Sequence, residues 1–145
     1  TIDSKVHNMH FFQADLMQLP IELVNSTDSI SSLHAIEHFG LGRYGDPIDY
    51  FGYQKAIENI HSILKDKGRF YFSVPIGPQR IEYNAHRVFS LSYLFEYLSN
   101  YFDIEYLSIV DDKGDFHKHI KITDEAIDTN YGCQYGCGIF ELVKK

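Results

Sequence analysis

The 145-residue sequence has no tryptophan, two cysteines and four prolines. No stretch approaches the roughly 20 apolar residues that a membrane-spanning helix requires, so a membrane partner is not expected. The opening TIDSKVHNMH lacks the form of a signal peptide, and a cytoplasmic location is expected. Basic residues are scarce: 13 Lys and Arg stand against 20 Asp and Glu, a formal charge of −7. Neutralising phosphates needs a basic face, which argues against a nucleic-acid partner. Cys133 and Cys137, in CQYGC, have neither the spacing of a redox pair nor that of half a four-cysteine zinc site. They read as free thiols, buried or half-buried.

Apolar residues are plentiful at 44%, with eleven Tyr and eleven Phe. That supports a packed interior and opposes disorder. The length suits one domain over residues 1–145.

Residues 10–14 (HFFQA) read as a short strand that sets Asp15 at its carboxyl edge, with Leu19-Pro20 closing the segment. A second strand over Ile30, Leu33, Ala35 and Ile36 delivers His34, Glu37 and His38 at its end. Residues 53–65 carry Ala56, Ile57, Ile60, Ile63 and Leu64 at helical spacing, with Lys65, Lys67 and Gly68 as a cationic stop. RFYFSVP follows at once, apolar on both faces and ended by Pro75, as a central strand should be. Strand, helix and strand joined so closely indicate a parallel crossover. Ser90 caps a helix whose stripe is Leu91, Leu94, Phe95 and Leu98. Residues 102–110 make a strand closed by the turn Asp111-Asp112-Lys113-Gly114, and residues 138–144 a last one expected to pair antiparallel with it. Residues 115–136 read as a long excursion between the two.

Residues 28–49 gather the suggestive chemistry, and two patterns overlap there. His34-x-x-Glu37-His38 matches an inverted zinc peptidase motif and supports a zinc hydrolase as one alternative. That chemistry needs a continuous helix, whereas this segment leaves a strand and meets Gly40 and Gly42. Gly40-x-Gly42-x-x-Gly45 matches a dinucleotide fingerprint, but Glu37, His38 and Phe39 separate it from its strand. Asp46-Pro47 delays the next helix to about residue 52, and the acid would repel phosphate. A tightly turned loop is the better reading. A metal site from His117, His119, Cys133 and Cys137 has nonstandard spacing, and none is expected.

The strings ADLMQLP, DSISSLHAIEHFGLGRYGDPID, ILKDKGRFYFSVPIG and NAHRVF together resemble the class I methyltransferases that use S-adenosylmethionine. The likeness runs from residue 10 onward and looks closest to a bacterial branch found with surface-polysaccharide enzymes, the group DUF268. It implies a partial Rossmann-like methyltransferase fold of the α/β class, with a mostly parallel sheet and a C-terminal antiparallel pair. It also implies S-adenosylmethionine as cofactor, touched by Asp15, Leu16 and His34, with the acid on the adenine amino group. The family's opening strand and glycine-rich loop have no counterpart before Asp15, so the chain resembles the C-terminal portion of that fold. Exposed sheet edges would follow, and with them association between copies.

In open α/β sheets ligands sit at the carboxyl ends of strands. Arg43 and Tyr44 of GLGRYGD, with Asn84, His86 and Arg87 of NAHR, are therefore expected to meet a small anionic substrate such as a sugar phosphate or nucleotide sugar. His38 or Glu37 is the candidate base for a substrate hydroxyl. The contrasting expectation is an inactive methyltransferase-like module that binds a ligand or partner.

Overall fold

The run RFYFSVP becomes an interior strand in the computed structural model of the chain, which describes residues 6–11, 13–82 and 85–145. In chain order the elements are β1 (Thr27–Leu33), α1 (Gly52–Ile63), β2 (Leu64–Ile76), β3 (Arg80–Glu82), β4 (His86–Val88), α2 (Leu91–Leu98), β5 (Phe102–Val110), β6 (Phe116–His117), α3 (Asp124–Asp128) and β7 (Gly136–Lys144). The main sheet has the order β1-β2-β7-β5-β6, and β3 with β4 forms a separate hairpin.

β1 and β2 are parallel neighbours, as the strand, helix and strand order requires. Every other pair in the main sheet is antiparallel, so the sheet is mixed and not mostly parallel as expected. The cause is the position of β7. It enters between β2 and β5 and runs opposite to both, so the parallel progression β1, β2, β5 persists in direction while its last two members never touch.

Four boundaries also differ from expectation. β1 stops at Leu33, so Ala35 and Ile36, expected inside the strand, lie in the turn beyond it. Of residues 10–14, Phe12 lies outside the described residues, and the other four form no strand, because a strand needs a neighbour and β1 is laddered to β2 alone. α1 begins at Gly52 but stops at Ile63, short of Gly68, because the fully buried Leu64 turns extended and opens β2 directly. Residues 65–68 are absorbed by a ladder shift between the Thr27–Leu64 and Ser29–Arg69 pairs. Pro75 does not end β2: it pairs with Cys137, its carbonyl accepts from the Phe89 N–H at 3.0 Å, and the strand runs on to Ile76.

α2 starts as expected, with the Ser90 hydroxyl accepting from the Tyr93 N–H and Leu91, Leu94 and Leu98 buried. Residues 115–136 are tied down. The Asn130 side chain accepts from the Leu91 N–H, and the Asp112 carboxylate accepts from the N–H groups of Gln134 and Tyr135. His117 faces Asp111 and His119 faces Glu141, each at 2.9 Å. Cys133 is buried and Cys137 half-buried, both as free thiols. No described helix is long and apolar enough to cross a membrane.

One hydrophobic cluster joins α1 and α2 to the sheet through Ile57, Ile60, Phe70, Phe72, Leu94 and Phe140. The Phe72 ring lies 5.2 Å from Phe70 and 5.9 Å from Phe140, centre to centre, where β2 meets β7. Phe72→Ala is expected to cost about 3–5 kcal/mol in urea denaturation. A loss under about 1 kcal/mol would place the core elsewhere.

Candidate functional site

Parallel pairing puts the carboxyl ends of β1 and β2 on one rim. His34 follows β1 at once, gives its N–H to the Ser73 carbonyl of β2, and has a left-handed φ of 49°. This turns the chain off the sheet into a 3-10 turn over Ile36–His38, with Ile36 fully buried beneath it.

Arg87 of β4 holds that turn. It is 2% exposed, and its guanidinium donates to the carbonyls of Phe39 at 2.6 Å, Tyr50 at 3.0 Å and Glu37 at 3.4 Å. The charge also lies 4.7 Å from the centre of the Tyr53 ring. Burial lowers the Arg87 pKa, against the opposing pull of Tyr53, Tyr50, Tyr93 and Asp49. Expected at a substrate, Arg87 instead spends its donors on the protein's own backbone.

Glu37 is the centre of the cluster. Only 2% exposed, it sets Oε1 at 3.2 Å from His34 Nδ1 and 3.8 Å from His38 Nε2, while Oε2 has no hydrogen-bond partner. His38 Nδ1 donates to the Ala85 carbonyl at 2.7 Å, so in the neutral ring the lone pair sits on Nε2. Arg43 donates to the same carbonyl at 3.2 Å, so the loops after β1 and between β3 and β4 meet at Ala85. His86 stands edge-on to His38 at 5.9 Å and lies 3.0 Å from the Tyr135 hydroxyl. Burial, then the neighbouring His38, hold the His86 pKa below the usual histidine value. Tyr44 meets His38 edge-on from the solvent side and is 72% exposed. Asn84 lies outside the described residues.

A partner of this cluster escaped the sequence reading. Cys137, at the start of β7, places its sulfur 3.1 Å from His34 Nε2. The two are 103 residues apart, and only the position of β7 beside β2 joins them.

The glycine-rich loop takes the tightly turned form. Gly40, Gly42 and Gly45 have φ of 71°, 71° and 82°, and a Cβ on Gly40 would fall 1.9 Å from the Asp49 carbonyl oxygen. Its amides are occupied from within: Asp46 accepts from the N–H groups of Gly40, Gly42 and Tyr44. The carboxylate thus fills the concavity that would hold a phosphate. Burial works against this carboxylate, yet the N–H groups of Tyr44, Asp46 itself, Gly42 and Gly40 hold its pKa below the ordinary aspartate value. His34, Glu37 and His38 do not share a helix, and no group of three or more His, Cys, Asp or Glu among the described residues could hold a metal ion.

A cleft of about 320 Å³ opens beside this loop, lined by Asp15, Leu16, Met17, His38, Phe39 and Tyr44 among others. It unites Asp15 and Leu16 with His38 and Tyr44, while His34 stays outside its lining. Asp15 accepts from the Met17 N–H and the Gln18 side chain, and the Leu16 carbonyl is held by Asn59 at 2.8 Å.

A family model described as Caenorhabditis protein of unknown function, DUF268, matches residues 4–127. Its description contains neither the bacterial nor the polysaccharide association expected above. The crystal structure of MccD protein superposes with a TM-score of 0.57 at 12% identity, over 91% of this chain and 66% of that one. The [4+2]-cyclase SpnF gives 0.65 at 16% identity, over 95% of this chain and 57% of that one. Both share their α/β fold with this chain, which spans less than two thirds of either. No curated protein matches it.

Because the folded-state pKa of Asp46 is depressed, its stabilisation is present above the unfolded value of 3.8 and is lost as pH falls through the folded one. Asp46→Asn is therefore expected to lower the urea midpoint at pH 7, by a margin that narrows as pH is taken below 3.8. Equal midpoints at pH 7 would contradict the anchoring role of the carboxylate.

Proposed function

The chain belongs to the DUF268 family, and from that premise we propose that it binds S-adenosylmethionine in the Asp15–His38 cleft and transfers a methyl group to a hydroxyl of a small anionic acceptor, a sugar or nucleotide sugar. The observation that carries this reading is the single cleft joining Asp15 and Leu16 to His38 at the carboxyl end of a parallel strand.

The lining fits the cofactor. Leu16, Met17 and Phe39 offer apolar surface for a purine, and Asp15 retains acceptor capacity for its amino group beyond the two bonds it already accepts. With Asp46 beside it, the cleft is acidic, which suits a sulfonium cation. The bound cofactor would supply an electrophilic methyl group. Orienting the acceptor falls to Tyr44 and Arg43 at the rim, with His86 behind them. His38 Nε2 takes the acceptor's hydroxyl proton, and the Glu37 carboxyl alongside offsets the imidazolium. Arg43 supplies the positive charge for an anionic acceptor, since Arg87 is already engaged.

A second reading, ligand binding without turnover, is favoured by the size of the cleft. At about 320 Å³ it lies near the lower end of the roughly 300–1,000 Å³ usual for ligand sites.

Calorimetric titration tests the binding claim. S-adenosylmethionine is expected to bind once per chain, with Asp15→Ala weakening affinity about tenfold or more. No saturable heat at millimolar cofactor, or an unchanged Asp15→Ala affinity, would contradict it. Among sugar phosphates and nucleotide sugars offered as acceptors, one that is methylated should show His38→Gln keeping cofactor affinity and losing about 10²–10⁴ in turnover. Binding without turnover on any of them selects the second reading.

A further inference from the structure

The cleft uses one histidine partner of Glu37 and leaves the other, His34, facing a thiol. His34 Nδ1 is 3.2 Å from Glu37 Oε1, and its Nε2 is 3.1 Å from the Cys137 sulfur. A proton on Nδ1, shared with the carboxyl, leaves the Nε2 lone pair aimed at the S–H. Thiol, base and orienting carboxyl are thus in contact in that order, the arrangement that activates a nucleophile.

Two independent features set this cluster apart from incidental packing. Glu37 is 2% exposed yet keeps one oxygen without a partner, a buried polar group with capacity left over. His34 holds a left-handed φ of 49°, uncommon for a non-glycine residue and typical of positions where the fold maintains local strain. The His34 side chain is 47% exposed and Cys137 is half-buried, so a small molecule has access to the pair.

We infer that Cys137 is a base-assisted nucleophile, a modification site that takes an alkyl group from a soft, uncharged electrophile by displacement at saturated carbon. The sulfur bonds to carbon as the bond from carbon to the leaving group breaks, and the leaving group departs with that electron pair. The thiol proton passes to His34 Nε2 and from the exposed imidazolium to water, while Glu37 offsets the transient charge.

Displacement suits the surroundings better than acyl transfer. Cys137 lies inside the sheet between Pro75 and Val110, where strand amides serve the ladders and Pro75 has no N–H. An acyl intermediate would need a pair of free donors for its oxyanion, whereas displacement at saturated carbon develops no such charge. Burial and then Glu37 push the Cys137 pKa up, so the resting group is a thiol that loses its proton only as the new bond forms. The titratable groups facing it are His34 after β1 and Glu37 in the turn, with His38 beyond Glu37 and His86 of β4 beyond His38. Cys133 provides an internal control, being 2% exposed and pushed up by burial, then by Asp112 and Asp111.

The inference does not depend on cofactor binding, because the test needs no cofactor. Native protein is treated with iodoacetamide at pH 7 and both thiols are followed by peptide mass spectrometry. Cys137 is expected to label at least tenfold faster than Cys133, and His34→Asn to slow it at least tenfold. Asparagine tolerates the left-handed backbone at that position, so this variant keeps the turn. Glu37→Gln, which removes the carboxylate that orients His34, should slow labelling and restore the steep pH dependence of an unassisted thiol, even though it also lifts the direct upward push of Glu37 on the thiol pKa. In the unsubstituted protein the Cys137 rate should stay nearly flat from pH 7 to 9. A rise of about tenfold per pH unit, as for a free thiol below its pKa, would overturn the inference without any variant. So would a His34→Asn protein that labels at the original rate.

Discussion

A guanidinium taken out of water is costly unless its donors are met, and Arg87 meets that condition with the carbonyls of Phe39, Tyr50 and Glu37 and the face of Tyr53. Those groups belong to three places: the turn after β1, the approach to α1, and α1 itself. One charge from the hairpin therefore fixes the loop that carries Glu37 and His38 against the helix that covers the sheet. The Arg87 Nε alone has no hydrogen-bond partner, so the terminal nitrogens carry the contact. Removing the side chain would free three carbonyls at once.

On that support Glu37 serves two histidines that look in different directions. His38 is oriented by the Ala85 carbonyl and lines the cleft with Asp15, whereas His34 is oriented by Glu37 itself and meets Cys137. The glycine loop between them and α1 is held by its own Asp46, so it acts as a wall of the cleft and not as a phosphate cradle. Both uses of the carboxyl arise from one strand end, because β1 and β2 run together and β7 starts on the same rim.

Much of this was legible from local pattern. α1 and α2 follow their apolar spacing, Ser90 caps where expected, and the β1–α1–β2 crossover follows from its short links. His34, Glu37 and His38 do follow the strand end, although that end falls at Leu33 and not at Ile36 as the apolar pattern suggested. What could not be read depends on partners remote in the chain. Whether residues 10–14 form a strand depends on a neighbour, and the direction of the sheet depends on β7 entering between β2 and β5. Arg87 looks like a loop arginine in NAHR, and its burial follows only from Tyr50 and Tyr53 closing over it. No spacing rule links Cys137 to a histidine 103 residues away.

The dependence of the site on Arg87 is open to direct measurement by amide hydrogen exchange in Arg87→Met. Losing the two shorter of its three charge-assisted hydrogen bonds, to Phe39 and Tyr50, at about 1.5–3 kcal/mol each, should by itself raise exchange over residues 36–52 by about a hundredfold or more. Protection in β2, β5 and β7 should stay near its original level. Unchanged protection over residues 36–52, or an equal loss across the whole sheet, would contradict the claim that this one side chain holds the site in place.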